Sequence, residues 1–443
     1  MKKKFLLLIA FLFWYLGHIQ AQYQKPYNAQ LLHRAQSALT KIVVHDIFAP
    51  PVASRIYLYA NMAAYEAALP GQQTYVALSA SLPAFPVVQP PAAGIANDLA
   101  AVYAFMKTAQ RFVFSEAMLA DSLQTFLKSY SRLDKKVFQA SIAFGQTVAD
   151  SVIAWADKDQ YKETRKLRRY NLVKGDGKWL PTAPGYMAAV EPHWSRIRPV
   201  ALDSSAECKP VAPPSFSLEK ESKFYRQALD VYEVHKKMTE EQRAIALFWD
   251  CNPFFLNTQG HLNFATKKLS PGGHWMSIAG IAARKKNADL VTSATAYVLT
   301  AIALFDGFIS CWDEKYRSNL VRPETYINAV IDEQWRPLLQ TPPFPEYTSG
   351  HSVISTAAAH VLTQLFGNDF GFDDDTETPY GLPVRSFQSF NHAAEEAAIS
   401  RLYGGIHYRA AIQNGQLQGR KVGEKVLLKM RLRAKDIATT FTK

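Results

Sequence analysis

The sequence is poor in cysteine. Its 443 residues include three, Cys208, Cys251 and Cys311, which lie far apart and are odd in number. They cannot build a disulfide framework, and the absence of closely paired cysteines argues against a structural zinc site. We therefore expect buried thiols, with a single disulfide as the alternative. A chain of this length needs neither disulfides nor structural zinc to be stable, because it can bury about three quarters of its unfolded surface.

Long hydrophobic runs are also lacking in the body of the chain. After Ser217, the uncharged stretch of residues 290–305 contains Thr and Ser, which indicates a buried core helix rather than a bilayer span. At the N-terminus, three lysines precede an uncharged run over residues 5–17, and Ala21 offers a small residue for cleavage. This pattern predicts a signal peptide over residues 1–21 and a secreted or periplasmic protein. We expect no membrane span after its removal.

Acidic residues are outnumbered by basic ones. The chain has 50 Lys and Arg against 38 Asp and Glu, a formal net charge of +12, which falls to +9 without the three N-terminal lysines. The one dense basic run, residues 162–169, has no accompanying RNA-stacking motif and is typical of a solvated helix face. We therefore expect no nucleic-acid partner and interpret the positive field as one that attracts small anions.

Helical periodicity dominates the rest of the chain. Apolar residues at three- and four-residue spacing predict helices at 35–44, 54–68, 95–112, 115–130, 136–155, 219–234, 240–250, 277–309, 353–366, 393–402 and 413–432. Proline-rich segments at 83–91 and 210–214 interrupt this pattern. We predict an all-α protein in which an N-terminal helical layer, residues 22–210, packs on a C-terminal helical domain, residues 217–443.

The first of three polar segments contains Lys315, Arg322 and Pro323. Seven residues are close to two helical turns, so Lys315 and Arg322 are predicted to project from one helix face, with Pro323 near the helix end. Two cations on one face repel each other unless an anion lies between them. Taken alone, such a pair is more typical of a solvated surface.

The second segment is a proline-rich loop that leads through Ser349, Gly350 and His351 into an apolar helix. A loop that feeds a helix start presents free backbone N–H groups, here at Ser349 and Gly350, which form an anion seat with the serine hydroxyl. His351 can exchange protons beside that seat near neutral pH. The alternative is a serine cap followed by an ordinary histidine. The absence of a Gly-x-Ser-x-Gly pattern disfavours a serine hydrolase.

The third segment contains Arg401, the pair Gly404 and Gly405, and His407. On a continuous helix, six residues would separate Arg401 and His407 by about 120° around the axis. The glycine pair can end the helix and bring both side chains to one point. For this segment alone, a helix that ends at glycines near an incidental histidine is the simpler interpretation.

Together the three segments supply three permanent cations, a helix-terminus amide seat and two histidines, a set suited to a tetrahedral oxyanion. The order Lys-x6-Arg-Pro, Ser-Gly-His and Ser-Arg-x5-His resembles the superfamily of type-2 phosphatidic acid phosphatases (PAP2) and vanadium-dependent haloperoxidases, over residues 250–443. The resemblance implies a helical protein with a four-helix-bundle core that holds vanadate or phosphate in one pocket.

The resemblance also implies roles for individual residues. The groups implied to contact the oxyanion are the side chains of Lys315, Arg322 and Arg401, the Ser349 hydroxyl and the Gly350 amide. His407 becomes the ligand of the vanadium in vanadate, and His351 the acid–base group that handles peroxide. Many members carry an aspartate four residues after the second histidine, where this chain has Ala411. Another acceptor must then set the tautomer of His407.

Several features look like the haloperoxidase branch. Trp312 and Phe344 stand where that branch has an aromatic pair lining the vanadate and halide pocket. Asp250 resembles the family carboxylate that pairs with Arg401, and residues 271–275, which include His274, resemble a further segment of the branch. The length, the exported form and the residues around His407 look most like bacterial vanadium iodoperoxidases.

The implied activity is oxidation of halide by hydrogen peroxide to hypohalous acid, which acts on a small organic acceptor. Vanadate is the cofactor and keeps its oxidation state, and iodide is the easiest halide to oxidise. A monomer is favoured over an oligomer. The alternative is a soluble exported acid phosphatase in which His407 forms a phosphohistidine. An anion-binding protein without turnover is a third reading, although cations alone would suffice for binding and both histidines are retained.

Overall fold

The described part of the chain is built almost entirely from helices. The structure, a computed structural model, describes residues 28–92, 94–259 and 262–434. Within these ranges it contains fourteen α-helices and two short antiparallel hairpins, which confirms the predicted helical fold class. The predicted signal peptide, residues 1–21, lies outside the described residues.

The helices of the N-terminal part are α1 (Gln30–His45), α2 (Pro50–Ala68), α3 (Asn97–Gln110), α4 (Glu116–Lys128), α5 (Lys135–Ala156) and the single turn α6 (Tyr161–Thr164). The C-terminal part contains α7 (Lys223–Lys236), α8 (Glu240–Phe248), α9 (Pro271–Lys285), α10 (Leu290–Ser318), α11 (Pro323–Val330), α12 (Gly350–Phe366), α13 (Phe390–Tyr403) and α14 (Arg409–Lys429). Strands β1 (Phe255–Gln259) and β2 (Leu262–Thr266) pair, as do β3 (Phe372–Asp374) and β4 (Arg385–Phe387).

Four helices form the predicted bundle. Helix α12 packs against α10, α13 and α14, and α14 also contacts α10 and α13. The close approach of α14 to α12 depends on glycine, because a Cβ at Gly419 would lie 2.2 Å from the carbonyl oxygen of Val353. In the bundle, the starts of α12 and α14 and the ends of α10 and α13 therefore lie close to one another.

The N-terminal helices pack on this bundle through α2, which contacts α10, while α3 packs on α2 and α5 on α3. One hydrophobic core joins the two parts, with residues from Leu32 in α1 to Leu432 after α14, and a second, smaller core includes Phe224 in α7 and Ile327 in α11. The predicted division near residues 210–217 stays a prediction. Among the described residues, one helix, α10, has the length and apolar composition of a membrane span, and that stretch is entirely buried inside the protein.

Two helix predictions are wrong in ways that affect the site. The helix predicted at 277–309 is two helices, because Asp289 caps α10 by accepting from the N–H of Thr292 at 2.8 Å. Lys315 and Arg322 do not share a helix face. Helix α10 ends at Ser318, and Asn319 adopts a left-handed conformation with φ of 50°. The chain then turns, and Arg322 immediately precedes Pro323 at the start of α11.

Candidate active site

The three polar segments meet at one cavity of about 400 Å³. The N-terminal layer contributes Ile47 and Met187 to its wall. The predicted site residues that line it are Asp250, Trp312, Phe344, Gly350, His351, Arg401 and His407. Among the predicted site residues, Asp250 and His407 are 157 positions apart in the sequence and face the same cavity.

The other three predicted residues, Lys315, Arg322 and Ser349, are fully buried and are not among the described residues that line the cavity. Each of the three lies next to a residue that lines the cavity. Lys315 Nζ lies 5.1 Å from the centre of the Phe344 ring, and Arg322 Nη1 lies 3.2 Å from His407 Nε2. Ser349 caps α12, where its hydroxyl accepts from the N–H of Ser352.

The ammonium group of Lys315 is held by three carbonyl groups. Nζ donates to the carbonyl oxygens of Pro345, Glu346 and Thr348 at 3.0, 3.1 and 2.6 Å. Since an ammonium has three donors, an oxyanion must replace one of these carbonyls to contact Lys315. Burial lowers the pKa of Lys315 to about 8, so the group is cationic at neutral pH.

The two guanidinium groups are anchored through main-chain carbonyls. Arg322 donates from Nε to Phe344 and from Nη1 to Ile406, both at 2.9 Å, while its buried Nη2 has no hydrogen-bond partner among the described residues. Arg401 donates from Nη2 to the carbonyl of Trp249 at 2.5 Å. Burial lowers the pKa of both arginines to about 10, and both therefore keep their charge at neutral pH.

The hydrogen bonds of His407 determine its tautomer. Nδ1 lies 2.8 Å from Oε1 of Glu346, and Nε2 lies 3.2 Å from the Nη1 donor of Arg322. A guanidinium only donates, so Nε2 carries the lone pair and Nδ1 carries the proton that is donated to Glu346. Burial and the charges of Arg322, Lys315 and Arg401 lower the pKa of His407 well below its usual value. A neutral imidazole with an unprotonated Nε2 suits a metal ligand once the metal takes the place of the Arg322 donor.

Glu346 is the site residue that the sequence analysis missed. It is fully buried, and its Oε1 also accepts from the N–H of Tyr408 at 2.9 Å. Burial raises its pKa to about 7. The carboxylate that many relatives carry four residues after the histidine thus comes here from the loop before α12. The alanine at position 411 was the signal, since it required another acceptor for His407.

His351 has one nitrogen available for chemistry. Its ring makes a hydrogen bond with the backbone of Trp249, and its buried Nε2 has no partner among the described residues. Burial and the charge of Arg401 lower the pKa of His351 well below its usual value. The imidazole is therefore neutral at neutral pH. If Nδ1 carries the proton that is donated to the Trp249 carbonyl, Nε2 is a proton acceptor.

Trp312 and Phe344 form the expected aromatic pair, with ring centres 4.9 Å apart. The predicted ion pair between Asp250 and Arg401 is wrong. The Asp250 carboxylate pairs with Lys268 at 2.6 Å. Arg401 donates to the Asp250 backbone carbonyl, and the charge of Asp250 raises the pKa of Arg401 against the effect of burial. The prediction of a free amide at Ser349 is also wrong, since this N–H donates to the carbonyl of Ala411 at 3.1 Å. The Gly350 residue lines the cavity as expected.

This arrangement fits a tetrahedral oxyanion bound to a histidine nitrogen. Three buried cations surround the site. Nη2 of Arg322 and Nε2 of His351 have no partner in the described part of the chain, and such a ligand would satisfy these buried polar atoms. The lone pair at Nε2 of His407 supplies the nitrogen donor. Vanadate and phosphate both meet the charge requirement, and the neutral ligand nitrogen suits a metal centre.

Comparison with known proteins agrees with this chemistry. Residues 295–435 match the family model of the second helical-bundle domain of VCPO. The chain is similar to the crystal structure of the first bacterial vanadium-dependent iodoperoxidase, with 48% sequence identity and a TM-score of 0.86. The match covers 92% of this chain and 97% of that chain. The chain belongs to the vanadium-dependent haloperoxidase family.

The fold of this haloperoxidase is also that of a bacterial vanadium-dependent chloroperoxidase. The holo structure of that protein gives a TM-score of 0.69 over 91% of this chain and 97% of that chain, and the apo structure gives 0.66 over 86% and 94%. Both are 15% identical to this chain, which shows the fold alone. Comparison with curated protein sequences gives no significant match. As a member of its family, the haloperoxidase is an oxidoreductase, and its relatives imply vanadate as cofactor with peroxide and halide as substrates.

Proposed function

We propose that this haloperoxidase oxidises iodide in preference to bromide and chloride, with vanadate bound at Nε2 of His407. The observation that carries the vanadate assignment is the fixed tautomer of His407, which has a carboxylate on Nδ1 and a lone pair on Nε2. When bound, vanadate supplies a Lewis-acid centre that activates hydrogen peroxide without a change in the oxidation state of the metal. The net reaction consumes peroxide, iodide and a proton, and yields hypoiodous acid and water.

The cations neutralise the bound oxyanion. Arg322 offers Nη2, which has no other partner among the described residues, and Arg401 lies in the cavity wall. Lys315 adds positive charge next to the aromatic pair, since its Nζ lies 5.8 Å from the Trp312 ring centre. Because all three groups are buried, their attraction for an anion is much stronger than it would be in water. The Ser349 hydroxyl and the Gly350 amide complete the proposed oxyanion contacts.

His351 moves the protons in this proposal. Its Nε2 is buried, has no partner among the described residues and belongs to a neutral imidazole. It takes a proton from hydrogen peroxide as the peroxide binds, and returns a proton to the oxygen that leaves as water. Burial keeps the resulting imidazolium short-lived, so the proton is readily given back.

The iodide preference is supported by the 48% identity with a bacterial iodoperoxidase over 92% of the chain. The cavity wall contributes a consistent feature, because Trp312 and Phe344 present aromatic surface to the site. Such a surface excludes water and suits a large, weakly hydrated halide. The same cavity gives access to a small organic acceptor.

The test compares vanadate-dependent halide oxidation with phosphatase activity. Purified apo-protein is assayed with and without orthovanadate for oxidation of iodide, bromide and chloride by hydrogen peroxide, and for p-nitrophenyl phosphate hydrolysis. We expect vanadate-dependent iodide oxidation with the highest kcat/KM among the halides. His407→Ala should lose it, whereas the exposed His392→Ala should keep it. Phosphate release that vanadate inhibits, without halide oxidation, would instead establish the phosphatase.

We also propose that the protein is exported and monomeric after cleavage near Ala21. The support is the sequence pattern of three lysines, an uncharged run and a small residue. Mass spectrometry of the protein recovered from outside the cytoplasm should give an N-terminus at Gln22, and light scattering should give the mass of a single chain. An intact N-terminus on the active protein would contradict the export proposal.

A further inference from the structure

A second cluster of metal-ligating side chains lies next to the cavity. Cys251 follows α8, His274 lies in the first turn of α9, and Glu377 follows β3. Cys251 Sγ lies 3.4 Å from Nδ1 of His274 and 3.8 Å from Oε1 of Glu377, and these nitrogen and oxygen atoms are 3.3 Å apart. All three residues are buried. Three different ligand types therefore converge on one point.

The distances match those between the ligands of a tetrahedral zinc ion. Zinc binds sulfur at about 2.3 Å and nitrogen or oxygen at about 2.0–2.2 Å, which places neighbouring ligand atoms about 3.3 to 3.6 Å apart. The observed separations need little adjustment to reach these values. Three protein ligands leave the fourth position to water, and Cys251 also lines the cavity, which provides a route of entry.

The surroundings of His274 match those of a zinc-bound histidine. Its Nε2 lies 2.8 Å from Oδ2 of Asp374 and 2.7 Å from the hydroxyl of Thr376. A carboxylate on the remote nitrogen fixes the imidazole so that Nδ1 faces Cys251 and Glu377. This carboxylate–histidine arrangement is the usual support of a metal-bound imidazole.

We propose that Cys251, His274 and Glu377 bind a Zn²⁺ ion, with Asp374 orienting the histidine. A thiolate and an imidazole select zinc over calcium and magnesium, which prefer all-oxygen sites. One thiolate and one carboxylate balance the two charges of the ion. The sequence argument against structural zinc applies to closely paired cysteines, and it does not reach a site with one cysteine whose ligands span 126 residues.

The zinc would stabilise the turn that holds the oxyanion site. Trp249 stacks on His274 with ring centres 4.5 Å apart, and the carbonyls of Trp249 and Asp250 accept from Arg401. Cys251 follows directly and has φ of 43°, which is uncommon for a non-glycine residue. A metal bond to Cys251 would hold this turn, and through it the position of Arg401.

The first experiment measures metal in the complete protein. The full chain, loaded with vanadate and dialysed, is examined for zinc and vanadium by inductively coupled plasma mass spectrometry and for zinc ligands by X-ray absorption at the zinc edge. We expect about one zinc per chain with one sulfur and lighter atoms as ligands. Zinc well below one per chain after growth with zinc supplied, or zinc without a sulfur ligand, overturns the proposal. The cluster would then be a hydrogen-bonded network around a protonated His274.

Variants locate the ion independently of the vanadate site. Cys251→Ser and Glu377→Gln should each lose zinc, and Cys208→Ser, another buried free cysteine, should keep it. Asp374→Asn should bind zinc about 10- to 100-fold more weakly. Circular dichroism identifies variants that fail to fold, and retained zinc in folded Cys251→Ser or Glu377→Gln overturns the assignment. His407→Ala should lose vanadium but keep zinc, so failure of one site is distinguishable from failure of the other.

Discussion

Two buried histidines in this protein carry a carboxylate at the same distance and differ in the charge of the groups around them. His407 lies 2.8 Å from Glu346, and His274 lies 2.8 Å from Asp374. Burial and neighbouring cations lower the pKa of His407 well below its usual value. Burial also lowers the pKa of His274, but the charges of Asp374 and Cys251 outweigh this effect and raise it well above the usual value.

The difference comes from the groups around each pair. His407 is surrounded by Arg322, Lys315 and Arg401, whereas the second ring nitrogen of His274 faces Cys251 and Glu377. A carboxylate–imidazole pair therefore has no fixed charge of its own. The His407–Glu346 pair lies among cations and offers a neutral nitrogen to an anion. The His274–Asp374 pair lies among acidic groups and favours a cation, either a proton or a metal ion.

The largest expected effect is on the stability of the protein, and it distinguishes Asp374 from Glu346. Asp374→Asn should lower the free energy of unfolding by about 3 to 5 kcal/mol, because it removes the buried carboxylate that balances the cation at His274, whether a proton or a metal ion. Glu346→Gln should cost no more than about 1.5 kcal/mol, since His407 is neutral and the amide oxygen still accepts its proton. Urea unfolding of both variants at pH 7 measures the contrast. Equal losses would mean that the two pairs carry the same charge.

The next effect tests the role of the cations around His407. Arg322→Gln should weaken vanadate binding about 100-fold, because it removes a buried donor to the oxyanion. It should also raise the pKa of His407 towards its usual value, since Arg322 is the leading charge that lowers it. A protonated His407 cannot bind vanadium, so binding should fail at a higher pH than in the wild type. Vanadate titrations from pH 5 to 8 check both points, with the exposed Arg34→Gln as control.

The short-range features of the molecule could be predicted from the sequence. Apolar spacing located most of the helices, and the Ser349 cap and the glycines after Tyr403 gave the start of α12 and the end of α13. Each of these signals is contained within a few neighbouring residues. They were sufficient for the helices and for the three polar segments, whereas the four-helix bundle and the common pocket were implied by the family resemblance.

The features that could not be predicted depend on contacts between distant segments. Glu346 reaches His407 across 61 residues, and no local pattern marks it as a partner. The position of Arg322 depends on a single left-handed residue, Asn319, which the helical spacing of Lys315 and Arg322 concealed. Likewise, Asp250 was assigned to Arg401 by resemblance, and only the three-dimensional arrangement shows its ion pair with Lys268.

The smallest expected effect concerns the charge of Glu346 itself. Burial raises its pKa to about 7, so the side chain is mostly neutral well below pH 7 and ionised above it. The ionised form makes His407 a stronger ligand, and Glu346→Gln removes this gain. The ratio of vanadate affinities, wild type over Glu346→Gln, should therefore rise from near one at pH 5.5 to about 10 at pH 8.5. Taking the ratio at each pH cancels the ionisation of vanadate itself. A ratio that is independent of pH would show that Glu346 acts only as a hydrogen-bond acceptor, and that the cations alone set the charge of the His407 pair.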